Sequence, residues 1–183
     1  MKKVFLSVTV FLLLIACNNP GDKLEPKIAD AGATSDTVAN AALPVPVLYK
    51  GTPAIGKSEN IATVMTWNKN LIEGKVDSIA QFIADSLTVT LADGTHMELS
   101  HDSAVAILKN FRKSMDSASQ QYYTAIAVDN KTVGDEWVIQ WTNETYHYKG
   151  GKKEQANICE SYLLKNGKIR QIGQYAQKMP KMK

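Results

Sequence analysis

FIADSLTVTLADGTHMEL, residues 82–99, carries the pattern on which the fold turns. Leu87, Val89 and Leu91 alternate with polar neighbours, as a strand with one buried face requires. Asp93-Gly94 supplies the positive φ values of a tight hairpin, so Thr95 to Leu99 returns as a second short strand. Immediately upstream, Val76, Ile79, Ala80, Phe82 and Ile83 keep a helical period up to the handover at Asp85-Ser86. A longer helix precedes it, capped by Ser58, with Ile61, Val64, Met65 and Leu71 or Ile72 on one stripe and its end at Glu73-Gly74.

Downstream, Asp102 or Ser100 caps a third helix that buries Ala104, Ile107, Leu108, Phe111 and Met115 and turns Lys109, Arg112 and Lys113 outward. The remainder reads as sheet. Tyr122 to Asp129 and Glu136 to Lys149 are rich in aromatic and β-branched residues, and Gly150-Gly151 and Asn166-Gly167 mark the turns before two further strands. The order ααββαββββ implies an α+β domain with helices gathered on the concave face of a curved sheet, an arrangement that encloses a pocket.

Three segments carry a family resemblance. TWNKNLIEGK (66–75) closes the first helix, FIADSLTV (82–89) opens the first strand, and LLKNGKI (163–169) links the last two strands. On these, the chain from about Ser58 to Gln177 resembles the nuclear transport factor 2-like superfamily, and within it small SnoaL-like bacterial lipoproteins. The resemblance implies a cone-shaped barrel of strongly curved mixed or antiparallel sheet with three N-terminal-side helices on its concave face. It also supplies a chemistry to compare. The ketosteroid isomerases of this superfamily use a tyrosine, an aspartate base and a protonated aspartate; spacing from Gly74, Asp85 and Gly167 puts those positions at Trp67, Leu91 and Cys159. Leu91 takes no proton from carbon, and an indole N–H or neutral thiol is a weaker donor to an oxyanion than a carboxylic acid. Isomerase chemistry is therefore disfavoured.

Candidate site residues follow from faces and residue types. Trp137, Ile139 and Trp141 share one face by the period of two, with Val138, Gln140 and Thr142 on the other. With Trp67, Cys159 and Tyr162, the two tryptophans are the candidates to line a cavity for an apolar or planar ligand, plain core packing being the commoner role of such tryptophans. Cys159, without a partner for a disulfide, is expected as a buried thiol. No residue is assigned as catalytic; Asp85 and Glu160 are the carboxylates that acid/base work would draw on, Asp85 being expected first as an Asx-type turn former at the helix-to-strand junction. His147 counts back from the Gly150-Gly151 turn to a position opposite Lys153 or Glu154, which makes it half of an exposed cross-strand pair. HExxH, Cys/His metal spacing, Gly-rich phosphate loops and a GxSxG elbow are all missing from the sequence, so neither metal nor cofactor is expected.

The N-terminus indicates an address. Lys2-Lys3, a largely apolar run from Val4 to Ala16, and Cys17 after a small residue read as a lipoprotein signal, too short to span a bilayer. Residues 1–16 are then the signal peptide, 17–42 a polar tether too poor in large apolar side chains to fold, and 43–183 a single domain. Loss of Lys2 and Lys3 lowers the formal charge of the 183-residue chain from +3 to +1, which excludes a nucleic-acid footprint. Acyl chains such as palmitate on Cys17 would anchor the protein in the cell envelope. By enteric-type sorting, Asn18 in place of a retention aspartate leads to the expectation of outer-membrane attachment facing the periplasm.

Three functions accommodate these residues: a lipid-anchored domain binding a small apolar or aromatic molecule without transforming it, a homodimeric interaction module pairing through the sheet face, and a SnoaL-type acid/base enzyme using Asp85 or Glu160. The first is the leading expectation and the last the least. For the anchor, the expected outcome is incorporation of labelled palmitate into the full chain and its loss in Cys17→Ser; equal labelling of the variant would contradict the signal reading.

Overall fold

The hairpin at Asp93-Gly94 forms as the dipeptide dictates. Gly94 adopts φ +87°, its N–H donates to Leu91 O at 2.9 Å, and the Asp93 side chain accepts from the Thr95 N–H at 2.9 Å. This turn joins β2 (Ile83–Thr90) to β3 (His96–Ser100) in the computed structural model, which describes residues 53–178. The lipoprotein signal, Cys17, the tether and the proline-rich segment from Leu43 to Tyr49 lie outside the described residues.

The other elements are β1 (Ala54–Ile55), α1 (Ser58–Ile72), α2 (His101–Lys113), β4 (Met115–Asn130), β5 (Asp135–Tyr148), β6 (Lys153–Lys165) and β7 (Lys168–Lys178). The seven strands form one mixed, open sheet in the order β1-β4-β5-β6-β7-β2-β3, antiparallel throughout except where β2 runs parallel to β7. The architecture is the α+β cone, although the sheet does not close into a barrel. Register shifts after Met115 and after Tyr122 in β4, and between Leu163 and Leu164 in β6, bend the long strands around the helices.

Local chemistry explains where the elements depart from expectation. The expected second helix is a pair of 3₁₀ turns, Val76–Ser78 and Ala80–Phe82. Val76 and Ile79 recur at intervals of three, the spacing that eclipses side chains in a 3₁₀ turn, and Ile79 and Ile83 are wholly buried. Ser58 is the first helical residue and not the cap; Lys57 stands at the N-cap and pairs instead with Glu136. Ser100, and not Asp102, caps α2, accepting from the Ser103 N–H at 3.3 Å. α1 ends at Gly74, whose φ of +80° lets its N–H reach back to Leu71 O. β4 begins at Met115, well before the expected Tyr122, because pairing with β5 from Tyr148 onward overrides the weak strand preference of its Ser and Gln residues. β1, too short to show in the sequence pattern, pairs with the far edge of β4.

The core lies between the helices and the concave sheet face. Val64 and Trp67 of α1 meet Leu87, Val138, Tyr162, Leu164 and Ile169, all nearly or wholly buried. Ile79→Ala is expected to cost about 2–5 kcal/mol in urea unfolding, since it opens a void in this core, whereas Ile126→Ala, on the convex face, should cost well under about 1 kcal/mol. Equal losses would contradict the placement of the core.

Candidate functional site

Period-two alternation decides what faces the pocket. On β5, Val138, Gln140, Thr142 and Glu144 point to the concave side and are buried; on β6, Ile158, Glu160, Tyr162 and Leu164 do the same. Against this wall α1 and α2 leave a cavity of about 730 Å³. Its helical side is apolar, with Leu71 and Ile72 from α1 and Ile107, Leu108 and Phe111 from α2. Ile107 and Phe111 are 41% and 39% exposed, which corrects the expectation that they pack in the core: the stripe is apolar because it faces the pocket. Leu87, Val89, Leu91, Met97 and Leu99 of the β2–β3 hairpin continue the apolar lining, together with Ile158 and Ile172.

Two buried carboxylates, Glu144 and Glu160, interrupt that lining, and a third, Glu154, lies exposed beside Lys153. Glu160 accepts from Tyr162 OH at 2.5 Å and Gln140 Nε2 at 2.9 Å on Oε2, and from Gln174 Nε2 at 3.1 Å on Oε1. Asn68 of α1 completes the cluster, its Nδ2 donating to Tyr162 OH at 3.1 Å and to Gln140 Oε1 at 3.2 Å. Glu144 accepts from Gln120 Nε2 at 2.6 Å and Thr142 Oγ1 at 3.0 Å on Oε1, and from Tyr146 OH on Oε2. Burial, reinforced by the charge of Glu144, pushes the Glu160 carboxyl up to about 7, against the pull of its three donors. Burial and the neighbouring Glu160 push the Tyr162 hydroxyl far above its ordinary range, so it stays a donor. A carboxyl near 7 both gives and takes protons at neutral pH, the property that general acid/base chemistry uses.

The expected site residues divide. Trp67 and Glu160 line the cavity; Tyr162 stands behind the lining, edge-on to Trp67 at 5.9 Å between ring centroids and bonded to Glu160. Trp137, Trp141 and Cys159 belong to the opposite, convex face, which corrects their assignment as ligand-binding residues. Trp141, Cys159 and Tyr175 form one cross-strand row there, with Trp141 37% and Tyr175 71% exposed. The same row leaves Cys159 only partly buried, not the core thiol expected, its thiol pushed up by burial and by Glu160. Spacing had set Cys159 at the isomerase aspartate position, whereas the inward residue of that stretch is its neighbour Glu160, one residue being enough to change faces. Leu91 and Trp67 do reach the pocket. Asp85 sits exposed within β2 rather than in a turn, apart from the cavity lining. His147 pairs with Lys153, as counted, and is exposed. Gln140, Glu144, Tyr146 and Gln174 were not anticipated as site residues, because a polar residue alternating along a strand reads as facing solvent, and neither was Asn68 of α1.

Comparison with known proteins adds the fold. No family model matches the chain, and no curated protein matches it either. Solved structures do. The LEH-like epoxide hydrolase of M. tuberculosis superposes with a TM-score of 0.56 at 13% identity, covering 66% of this chain and 84% of that one. AusH of Aspergillus nidulans gives 0.53 at 12% identity over 68% and 87%, and PrhC of Penicillium brasilianum 0.53 at 8% over 65% and 80%. The fold is that of nuclear transport factor 2-like and SnoaL-like proteins.

The raised Glu160 carboxyl makes stability depend on pH. The fold holds this proton to about pH 7, whereas the unfolded chain releases it near the ordinary 4.5, so its contribution is complete below pH 4.5 and lost as pH rises through 7. Between pH 4 and 8 the wild type should lose on the order of 3 kcal/mol relative to Glu160→Gln. Parallel stability profiles for the two proteins would contradict the burial of this charge.

Proposed function

We propose that this chain is a lipid-anchored envelope domain that holds one small, largely apolar molecule between its helices and sheet. The observation that carries the reading is the cavity of about 730 Å³, lined by apolar side chains of both helices and the β2–β3 hairpin, with the polar groups Asn68, Glu144, Glu160 and Gln174 on its walls and Lys153, Glu154 and Gln155 at the end of β6. That pattern of apolar lining with few placed polar groups is what ligand pockets share. The N-terminal signal and Cys17 support attachment to the outer membrane on its periplasmic side, with residues 17–42 giving the domain reach from the bilayer.

Acid/base catalysis on the same molecule is the second reading, favoured by one observation: Glu160 titrates near neutrality in the pocket wall and is held by Tyr162. The neighbouring folds include a protein named an epoxide hydrolase, and that activity remains that protein's own. Pairing of two copies through the convex face, where Trp141 and Tyr175 are exposed, is compatible with either reading.

Nile red, a neutral apolar dye, tests the pocket. Its emission should rise and shift to the blue with the full chain, and Ile107→Asp, which places a charge in the lining, should weaken uptake about tenfold or more. Undiminished uptake by the variant would place the dye elsewhere and sink the reading. Catalysis is separated by holding any captured compound in D₂O: exchange of carbon-bound hydrogen that stops in Glu160→Gln would establish proton transfer, and absence of exchange leaves a binding protein.

A further inference from the structure

The chemical class of the ligand can be read from the polar atoms that the cavity leaves unmatched, provided that the pocket reading above holds. An ionised carboxylate offers about four acceptor positions, two on each oxygen. Glu160 fills three of them: Oε2 takes Tyr162 and Gln140, and Oε1 takes Gln174 alone. Glu144 repeats the pattern, with Gln120 and Thr142 on Oε1 and Tyr146 alone on Oε2. Each buried carboxylate thus keeps one acceptor position open, and both residues line the same cavity. All their donors are neutral side chains. Among the described residues the lining holds one cation, Lys153, and it sits exposed at the hairpin end of β6 opposite His147.

When Glu160 is ionised, as it becomes when pH rises through about 7, its negative charge lies in an apolar setting without a counter-charge, which is unfavourable, and the repulsion from Glu144 adds to it. One further feature of the same wall bears on what relieves it. Phe111, Tyr146 and Tyr148 form a chain of rings beside Glu144, with centroids 5.9 and 6.3 Å apart. Ring faces attract cations, as the Lys152 ammonium 5.5 Å over the outermost ring, Tyr148, already shows.

We propose that the cavity takes a protonated amine carried on an apolar body, the ammonium donating to the open acceptor positions on the Glu144–Glu160 wall. The compact apolar body fills the space between Ile107, Leu108 and the β2–β3 hairpin. Neutral and anionic molecules of the same shape lack the charge that the wall attracts.

Calorimetric titration of the full chain with 1-adamantylamine, 1-adamantanol and 1-adamantanecarboxylate, three probes with one cage and three charges, tests this. The amine should bind about tenfold or more tightly than the alcohol, and the carboxylate should be weakest. Glu160→Gln and Glu144→Gln should each narrow the gap between amine and alcohol. The wild-type comparison stands whether or not the variants fold. Alcohol binding as tight as that of the amine would overturn the charge inference and leave the pocket reading intact. An amine preference that survives in both folded variants would do the same, and binding of none of the three would count against both.

Discussion

The carboxyl group of Glu160 is where the sheet, the first helix and the cavity meet. It is held out of water by its place on β6, and the donors that make this tolerable come from separate elements: Gln140 from β5, Tyr162 from β6 itself, Gln174 from β7. Asn68 ties the same cluster to α1. A buried network of this kind stabilises only when nearly every member is matched, because the low dielectric that strengthens each bond also penalises each omission. The register of three adjacent strands and the seating of α1 are therefore coupled through one side chain. Its elevated proton affinity follows from the same burial, reinforced by the charge of Glu144.

Around that cluster the two faces of the sheet have different tasks. The concave face packs Val138, Leu164 and Ile169 against the helices, then opens into the cavity where α2 stands off the wall with Ile107 and Phe111 partly exposed. An amphipathic helix that leaves apolar residues uncovered on its inner side defines a pocket without any exceptional residue type. The convex face carries Trp137, Trp141, Cys159 and Tyr175, outside the cavity. A fold shared at such low identity leaves the chemistry to the side chains of the wall.

Much of the architecture was legible in the sequence because it rests on short-range signals. The Asp93-Gly94 turn, the Ser100 cap, the stop at Gly74 and the alternation along β5 and β6 each specify local geometry through a few residues. The site was less legible. Glu160 and Trp67 were named, but Trp137 and Trp141 drew attention by their size and proved to face away, since alternation alone fixes two faces without saying which is inner. Gln140 and Glu144 looked like solvent-facing residues because burying them makes sense only once Tyr162, Gln120 and Tyr146 are brought across from other positions. The start of β4 and the 3₁₀ turns at Val76–Phe82 were set by strand pairing and by a three-residue apolar spacing, neither of which shows in residue preference.

The central claim is that a carboxyl group sits desolvated in the wall of an apolar cavity. Side-chain ¹³C NMR of the full chain, titrated with Glu160 assigned through the Glu160→Gln variant, reads that group directly. A midpoint near 7 is the result this structure predicts. A midpoint at the ordinary glutamate value near 4.5 would mean that water reaches the carboxyl freely, and the buried wall described here would be contradicted.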